Sequence, residues 1–280
     1  MPMKTLHVLN GDATAHAFVG AGLPGDVAIW REMLSEGPLL VAPRTDDELW
    51  TLRRNWLTTA FGTKFQGEQP DYTIYVVREF EKICRYTDYD EVVFWFEHDL
   101  FCQINLVFLL ACFDRVDLGQ TVLRQVSVDR IEGVADFKGY GQLTGTQLAA
   151  LYPQAETLTT HELMLATRVW SAYAASDKAA LTALLTTNVG RLCHLPAALT
   201  AHLARLTVAS NGLSLIQQQL LRLIQASPKT PRQVVSEWLS HDRIYGLGDW
   251  SLENYLTELA EQGIIEERDG LLVSTATQQA

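Results

Sequence analysis

EVVFWFEHDLFCQINLVFLLACF, spanning Glu91 to Phe113, changes character once, at Glu97-His98-Asp99. Before that triplet, Val92 to Phe96 is a run of β-branched and aromatic residues without polar alternation, as in a strand buried on both faces. After it, helix-compatible apolar residues continue to Phe113. A buried strand, a polar turn and a buried helix in that order belong to a parallel α/β sheet. In such sheets ligands meet the carboxyl ends of the strands, which is where Glu97, His98 and Asp99 stand.

The same grammar recurs on the amino-terminal side. Thr5 to Leu9 reads as a strand, followed by Asn10-Gly11-Asp12 and an Ala-rich helix to about Gly20. Gly11 permits a tight turn, and Asp12 suits either a helix cap or a ligand site. No GxGxxG pattern is present, which disfavours a dinucleotide. Val27 to Trp30 is a second short strand, and Arg31-Glu32-Met33-Leu34-Ser35-Glu36-Gly37-Pro38 follows it. Those charges either meet a ligand or pair locally in a solvated loop.

Between these strands and Glu91, Thr45 to Phe61 reads as a helix opened by a Thr45/Glu48 capping box, with Arg53 and Arg54 on a solvated face. Asp71 to Arg85 reads as a second helix. Beyond Phe113, Thr121 to Val128 is a fourth strand. Lys138-Gly139-Tyr140-Gly141 lacks phosphate-loop spacing and reads as an ordinary flexible turn.

From Thr144 the pattern is helical, and Trp170 and Tyr173 are expected to pack these helices on the α/β layers. His161, His194 and His202 stand at no metal-ligand spacing. The last seventy residues begin with a helix over Ser214 to Ala226, opened by a Ser214/Gln217 capping box, and a second begun by Thr230-Pro231, with Pro at the first helical position. A third helix over Ser251 to Gln262 precedes Ile264 to Arg268, Asp269-Gly270 and Leu271 to Ser274, a hairpin with a primed turn. Three helices and a two-stranded wing spell a winged-helix-like module. The expected organisation is a Rossmann-like three-layer α/β domain with a mainly parallel sheet at 1–150, a helical bridge at 151–210, and the winged-helix-like domain at 211–280.

Charge narrows the partners. Thirty-three acidic against twenty-two basic residues give the 280-residue chain a net charge of −11, which disfavours nucleic acid and anionic membrane. From Gly212 onward there are five basic and nine acidic residues, and the third helix carries Glu253, Glu258 and Glu261 with no Lys or Arg. A protein partner fits this module better than phosphate contacts do. Cys84, Cys102, Cys112 and Cys193 lie in apolar segments without paired spacing, and are expected to be reduced core residues of a cytoplasmic protein. The amino terminus leads straight into a strand pattern, so no signal peptide is expected. The longest apolar run, Leu106 to Phe113, is too short for a bilayer.

Three blocks, HVLNGD (His7 to Asp12), VAIWREMLSEGP (Val27 to Pro38) and VFWFEHDLFCQINLVFLLA (Val93 to Ala111), resemble the bacterial domain of unknown function 1835 family. KGYGQLTGTQLAAL and HELMLATRVWSAYAASD resemble its continuation. The tail, around LLRLIQASPKTP and LGDWSLENYLTELA, looks like the small companion domain that follows it. The resemblance implies a site at Asn10, Gly11, Asp12, Trp30, Arg31, Glu32, Gly37, Pro38, Glu97, His98, Asp99 and Gln103. The family pattern expects an aspartate where this chain has Glu32. The family brings a location and no activity.

Taken together, the sequence points to an enzyme, a hydrolase or phosphotransfer enzyme for a small phosphorylated or nucleotide-like substrate. Asp12, Glu32, His98 and Asp99 are the catalytic candidates, while Asn10, Gly11, Arg31, Glu97 and Gln103 would bind the ligand. A divalent cation such as Mg²⁺ would sit on Asp12 and Asp99, because hard cations prefer carboxylate oxygens. His98, with an ordinary imidazole pKa of about 6.5, is suited to proton transfer. Arg31 would neutralise developing negative charge. The alternative is a non-catalytic module that senses a small ligand and passes its state to a protein partner through the carboxyl-terminal domain.

Overall fold

The computed structural model describes residues 3–42, 47–68 and 71–275, which form two compact units, 1–198 and 199–280. In the first unit five strands make one sheet: β1 (Thr5–Asn10), β2 (Asp26–Trp30), β3 (Glu91–Trp95), β4 (Val122–Val126) and β5 (Glu156–Thr157). Their order is β2-β1-β3-β4-β5, parallel throughout except for β5, which runs antiparallel to β4. This is the α/β arrangement with a mainly parallel sheet expected from the strand and helix patterns. The two-residue β5 carries no strand signal of its own; Arg124 pairs with Thr157 and Gln125 with Glu156 across it.

Every residue of β1 and β3 is buried, because helices cover both faces. On one face Leu9, Val93, Trp95 and Val126 pack with Phe18 of α1 (Asp12–Val19) and with Leu148 and Leu151 of α5 (Gly145–Leu151). Tyr140, from the loop between β4 and α5, joins that core with no exposed surface. On the other face Trp30 stacks on Phe108 of α4 (Leu100–Phe113), with ring centroids 5.7 Å apart. Phe80 of α3 (Arg78–Cys84) and Trp50 of α2 (Asp47–Glu68) extend this aromatic layer. Twelve of the fourteen residues of α4 are buried, as its uncharged, all-round apolar sequence requires.

Local chemistry accounts for the boundaries. Asp99 caps α4, its Oδ1 accepting from Cys102 N at 2.9 Å. The α2 segment breaks at Gly62, where φ is +51°, and Thr45 of the expected capping box lies outside the described residues. A π-helical turn, Thr73–Val77, leads into α3. The helix α6 (Thr160–Ala174) packs along α4: Trp170 meets Phe108 at 4.8 Å, its Nε1 donates to Leu40 O, and Tyr173 Oη donates to Ser35 O. Together with α7 (Lys178–Leu184), α6 therefore belongs to the first unit, where the sequence had placed a bridge.

Three sequence expectations are corrected by the structure. Arg53 is fully buried, not solvated; Arg54 is the outward one of the pair. Cys84 and Cys193 are exposed, so only Cys102 and the half-buried Cys112 behave as interior thiols. The Lys138–Gly141 stretch is not a free turn, since Tyr140 is anchored in the core and hydrogen-bonded to Val126 O.

The helix α8 (Leu195–Arg205) runs across the boundary of the two units. The second unit then contains α9 (Leu215–Ala226), α10 (Pro231–His241) and α11 (Asp249–Glu261), followed by the hairpin β6 (Ile265–Arg268) and β7 (Leu271–Ser274). Ser214/Gln217 forms the capping box read from sequence, and Thr230/Gln233 forms a further one at the helix start that Thr230-Pro231 marked. Asp269 and Gly270 both adopt positive φ, as a primed two-residue turn demands. Among the described residues no helix is long and apolar enough to cross a membrane.

Candidate functional site

The chain leaves β1 toward β2 on one side and reaches β3 and β4 on the other. The switch point of the sheet is therefore the gap between the carboxyl ends of β1 and β3. Asn10 closes β1, and Glu97 continues the face of β3 that carries Val93 and Trp95. Cys102, in the first turn of α4, links them. Asn10 Nδ2 donates to Cys102 Sγ at 2.9 Å, and Sγ donates to Glu97 Oε2 at 3.0 Å. Gln103 Nε2 holds the Glu97 carbonyl at 2.7 Å, and Asn105 Nδ2 bridges Asn10 Oδ1 and Glu32 O. Three separate chain segments are thereby locked at one point.

Glu97 is gripped from the opposite side as well. Its Oε1 accepts from Tyr140 N at 2.5 Å, and Gly139, at φ +155°, lies against the same oxygen. Burial, and next the neighbouring Asp99, push the Glu97 carboxyl up to about 7, against the pull of the Cys102 thiol and the Tyr140 N–H. Burial also raises Asp99, opposed by the Cys102 N–H. The Cys102 thiol is raised well above its ordinary range by burial and by both acids, so it is a hydrogen-bond donor and not a nucleophile.

Glu97, Asp99 and Cys102 offer ligand atoms within 4.8 Å of one another, and they are the one such His/Cys/Asp/Glu group among the described residues. Two carboxylates suit a hard divalent ion, and the thiol adds a donor that favours a borderline ion such as Zn²⁺. Asp12 is not in this group. It is 61% exposed and takes a fork of hydrogen bonds from Arg31, whose Nη2 lies 2.7 Å from Oδ1. Arg31 in turn stacks on Tyr75, 4.3 Å from the ring centroid. Asp12 also lines a groove of about 550 Å³ running along α1 past Phe18, Leu23 and Val27. Asp12 therefore stands apart from Asp99, with which the sequence reading had paired it as a cation ligand, and the side chains that do converge with Asp99 are Glu97 and Cys102.

Glu32 leaves the site altogether. Its Oε2 accepts from Arg53 Nε and Nη2 and from Met33 N, its Oε1 accepts from Tyr72 Oη, and neither Glu32 nor Arg53 exposes any side-chain surface. A carboxylate so enclosed is part of the framework, which corrects its catalytic assignment. Gly11, at φ +85°, makes the tight exit from β1, and its N–H donates to Trp30 O.

His98 points to the β4 side. Its ring meets that of His194 edge-on, with centroids 6.0 Å apart, and its Nδ1 is buried with no hydrogen-bond partner. His194 is lowered by burial, against the opposing field of Asp129. The sequence reading missed His194 because a lone histidine ninety-six positions downstream carries no local signal. Cys102 was legible in principle, as the residue three beyond the Asp99 helix cap. No family model and no curated protein matches the chain.

Proposed function

We propose that the chain is a cation-assisted hydrolase or phosphotransfer enzyme for a small phosphorylated or nucleotide-like substrate, working in the crevice between β1 and β3. The observation that carries this reading is the convergence of Glu97, Asp99 and Cys102 at the switch point. The Glu97 and Asp99 carboxylates, with no Lys or Arg among the hydrogen-bond partners described for them, would repel a bare phosphate, and a divalent ion reverses that sign. A bound cation supplies polarisation of the phosphoryl oxygen. Glu97, Asp99 and Cys102 would hold it, and Asn10 and Gln103 keep those donors in place. His98, beside Asp99, is the candidate for moving a proton, and His194 flanks it. The resemblance to the domain of unknown function 1835 family supports the location of the crevice and adds no reaction.

A second reading has its own support. The unit from Leu199 onward reads as a winged-helix-like module, and α11 has three acidic side chains after its first turn and no Lys or Arg. That surface suits a protein partner, so the α/β unit would sense a small ligand without turning it over.

The deciding experiment is thermal unfolding of the full chain with Mg²⁺, Mn²⁺ or Zn²⁺, followed by a panel of phosphate esters and nucleotides. A ligand bound only to the native state raises Tm by mass action. The enzyme reading expects a cation-dependent rise that Glu97→Gln and Asp99→Asn abolish, with release of phosphate from some esters. Binding without turnover favours the sensor. No rise with any cation defeats the cation-assisted reading.

A further inference from the structure

We infer that the Gly139–Tyr140 peptide is a positioning element of the crevice: it orients the Glu97 carboxylate through the Tyr140 N–H, and position 139 must lack a side chain. This rests on reading the crevice as the functional site. The sequence had assigned the stretch to an ordinary turn.

Three observations converge on it. The Tyr140 N–H reaches Glu97 Oε1 at 2.5 Å, whereas the other carboxylate oxygen takes the Cys102 thiol at 3.0 Å. Both oxygens are thus held from opposite sides, which fixes the plane of the carboxylate and the direction of its remaining lone pairs. A Cβ at position 139 would lie 2.6 Å from the same Oε1 and 3.2 Å from Cδ, and φ there is +155°. Only glycine lets the backbone come so near at that dihedral. The peptide itself is not free to yield. The Tyr140 ring is fully buried, meets Trp95 edge-on, and its hydroxyl donates to Val126 O at the end of β4. On its other side Gly141 abuts Ala13, where an added Cβ would come within 2.9 Å of the Ala13 Cβ. The loop therefore spans the ends of β4, β3 and α1 and delivers one N–H to one oxygen. Partners of this kind, which orient a ligating or reacting carboxylate, commonly change metal affinity about 10- to 100-fold when removed.

The test uses the intact chain. In ¹H–¹⁵N spectra the Tyr140 amide is expected far downfield, as a donor to a carboxylate, and Glu97→Gln should move it upfield because a neutral acceptor binds the proton more weakly. Gly139→Ala should lower Tm, and Glu97→Asp should lower it separately by drawing the acid back from the N–H. The double variant should be more stable than the sum of the two losses, since the shorter acid vacates the space the new methyl needs. With Mn²⁺ as probe, Gly139→Ala should weaken binding roughly tenfold or more. If the wild type binds no cation, the cation reading fails while the spectral and rescue results still judge the peptide's role. An unmoved Tyr140 amide in Glu97→Gln, or strictly additive losses in the double variant, overturns it.

Discussion

Glu32 and Arg53 form an ion pair 2.9 Å long in which neither side chain exposes any surface; Arg53 Nη2 also donates to the carbonyl of Met33, and Nη1 to those of Glu36 and Pro38. Trp56 lies beneath the guanidinium at 4.6 Å. A single arginine thus ties the Glu32–Pro38 loop to α2. Removing one member strands the other charge in the interior, which costs about 3 to 5 kcal/mol. Arg53→Ala should accordingly lose about that much in urea unfolding, and Glu32→Gln should be milder, since the amide keeps an acceptor. If Glu32→Gln abolished ligand binding with stability intact, Glu32 would belong to the site after all.

That pair shows where sequence reading stops. The buried strands and α4 were legible because their residue types depend on burial alone: Val92 to Phe96 has no polar face to present, and Asp99 caps a helix from its own first turn. Strand order was not legible, because nothing in β1 names β3 as its neighbour. Side-chain destinations were hidden for the same reason. Arg53 and Arg54 are adjacent and chemically alike, yet one is enclosed by Glu32 from twenty-one residues upstream and the other meets Thr73 at the surface. Of the candidate site, Asn10, Glu97 and Asp99 were legible because they stand at strand ends, while Gln103, inside α4, came only with the family resemblance. Tyr140 and His194 arrive through loops, where no periodicity announces them.

The raised Glu97 carboxyl sets a direction for stability against pH. Between an unfolded pKa of about 4.3 and the folded value of about 7, the native chain holds a proton that the unfolded chain has released. Stability from this group is present at low pH and lost as pH rises through that window, at most roughly 4 kcal/mol. Glu97→Gln removes the titration, so its unfolding free energy should fall less between pH 5 and 8 than that of the wild type. Equal slopes for the two proteins would show that Glu97 titrates normally.

Glu162 works in the opposite sense. Burial pushes its carboxyl up, but the Thr159 hydroxyl and N–H and the Arg191 N–H outweigh that and bring it down to about 2. It contributes stability that is fully present above about pH 4.5 and disappears as pH falls toward 2. Glu162→Gln should cost about 2 kcal/mol at pH 7, allowing for solvent screening, and almost nothing at pH 2. Gln at this position can still complete the capping box with Thr159, as Gln217 and Gln233 do with Ser214 and Thr230, so the loss is that of the charge. Acid unfolding curves of the two proteins that run parallel down to pH 2 would contradict this.

Asp12 separates the two possible cation positions. Its carboxylate is mostly exposed and already engaged by Arg31, so the pair is worth less than about 1 kcal/mol and is weakened by salt. Arg31 keeps its stack on Tyr75 when Asp12 is gone. Asp12→Ala should therefore leave Tm within a degree or two of the wild type, roughly what such a small loss allows in a chain of this size. The rise in Tm with Mn²⁺ or Zn²⁺ should persist in Asp12→Ala and vanish in Asp99→Asn, because the donors that converge are Glu97, Asp99 and Cys102. Loss of the rise in Asp12→Ala with Asp99→Asn unaffected would move the cation to the amino terminus of α1, as the sequence alone had suggested for Asp12. Isothermal titration on the two variants distinguishes these outcomes directly, since a cation that displaces the Glu97 proton also releases acid on binding.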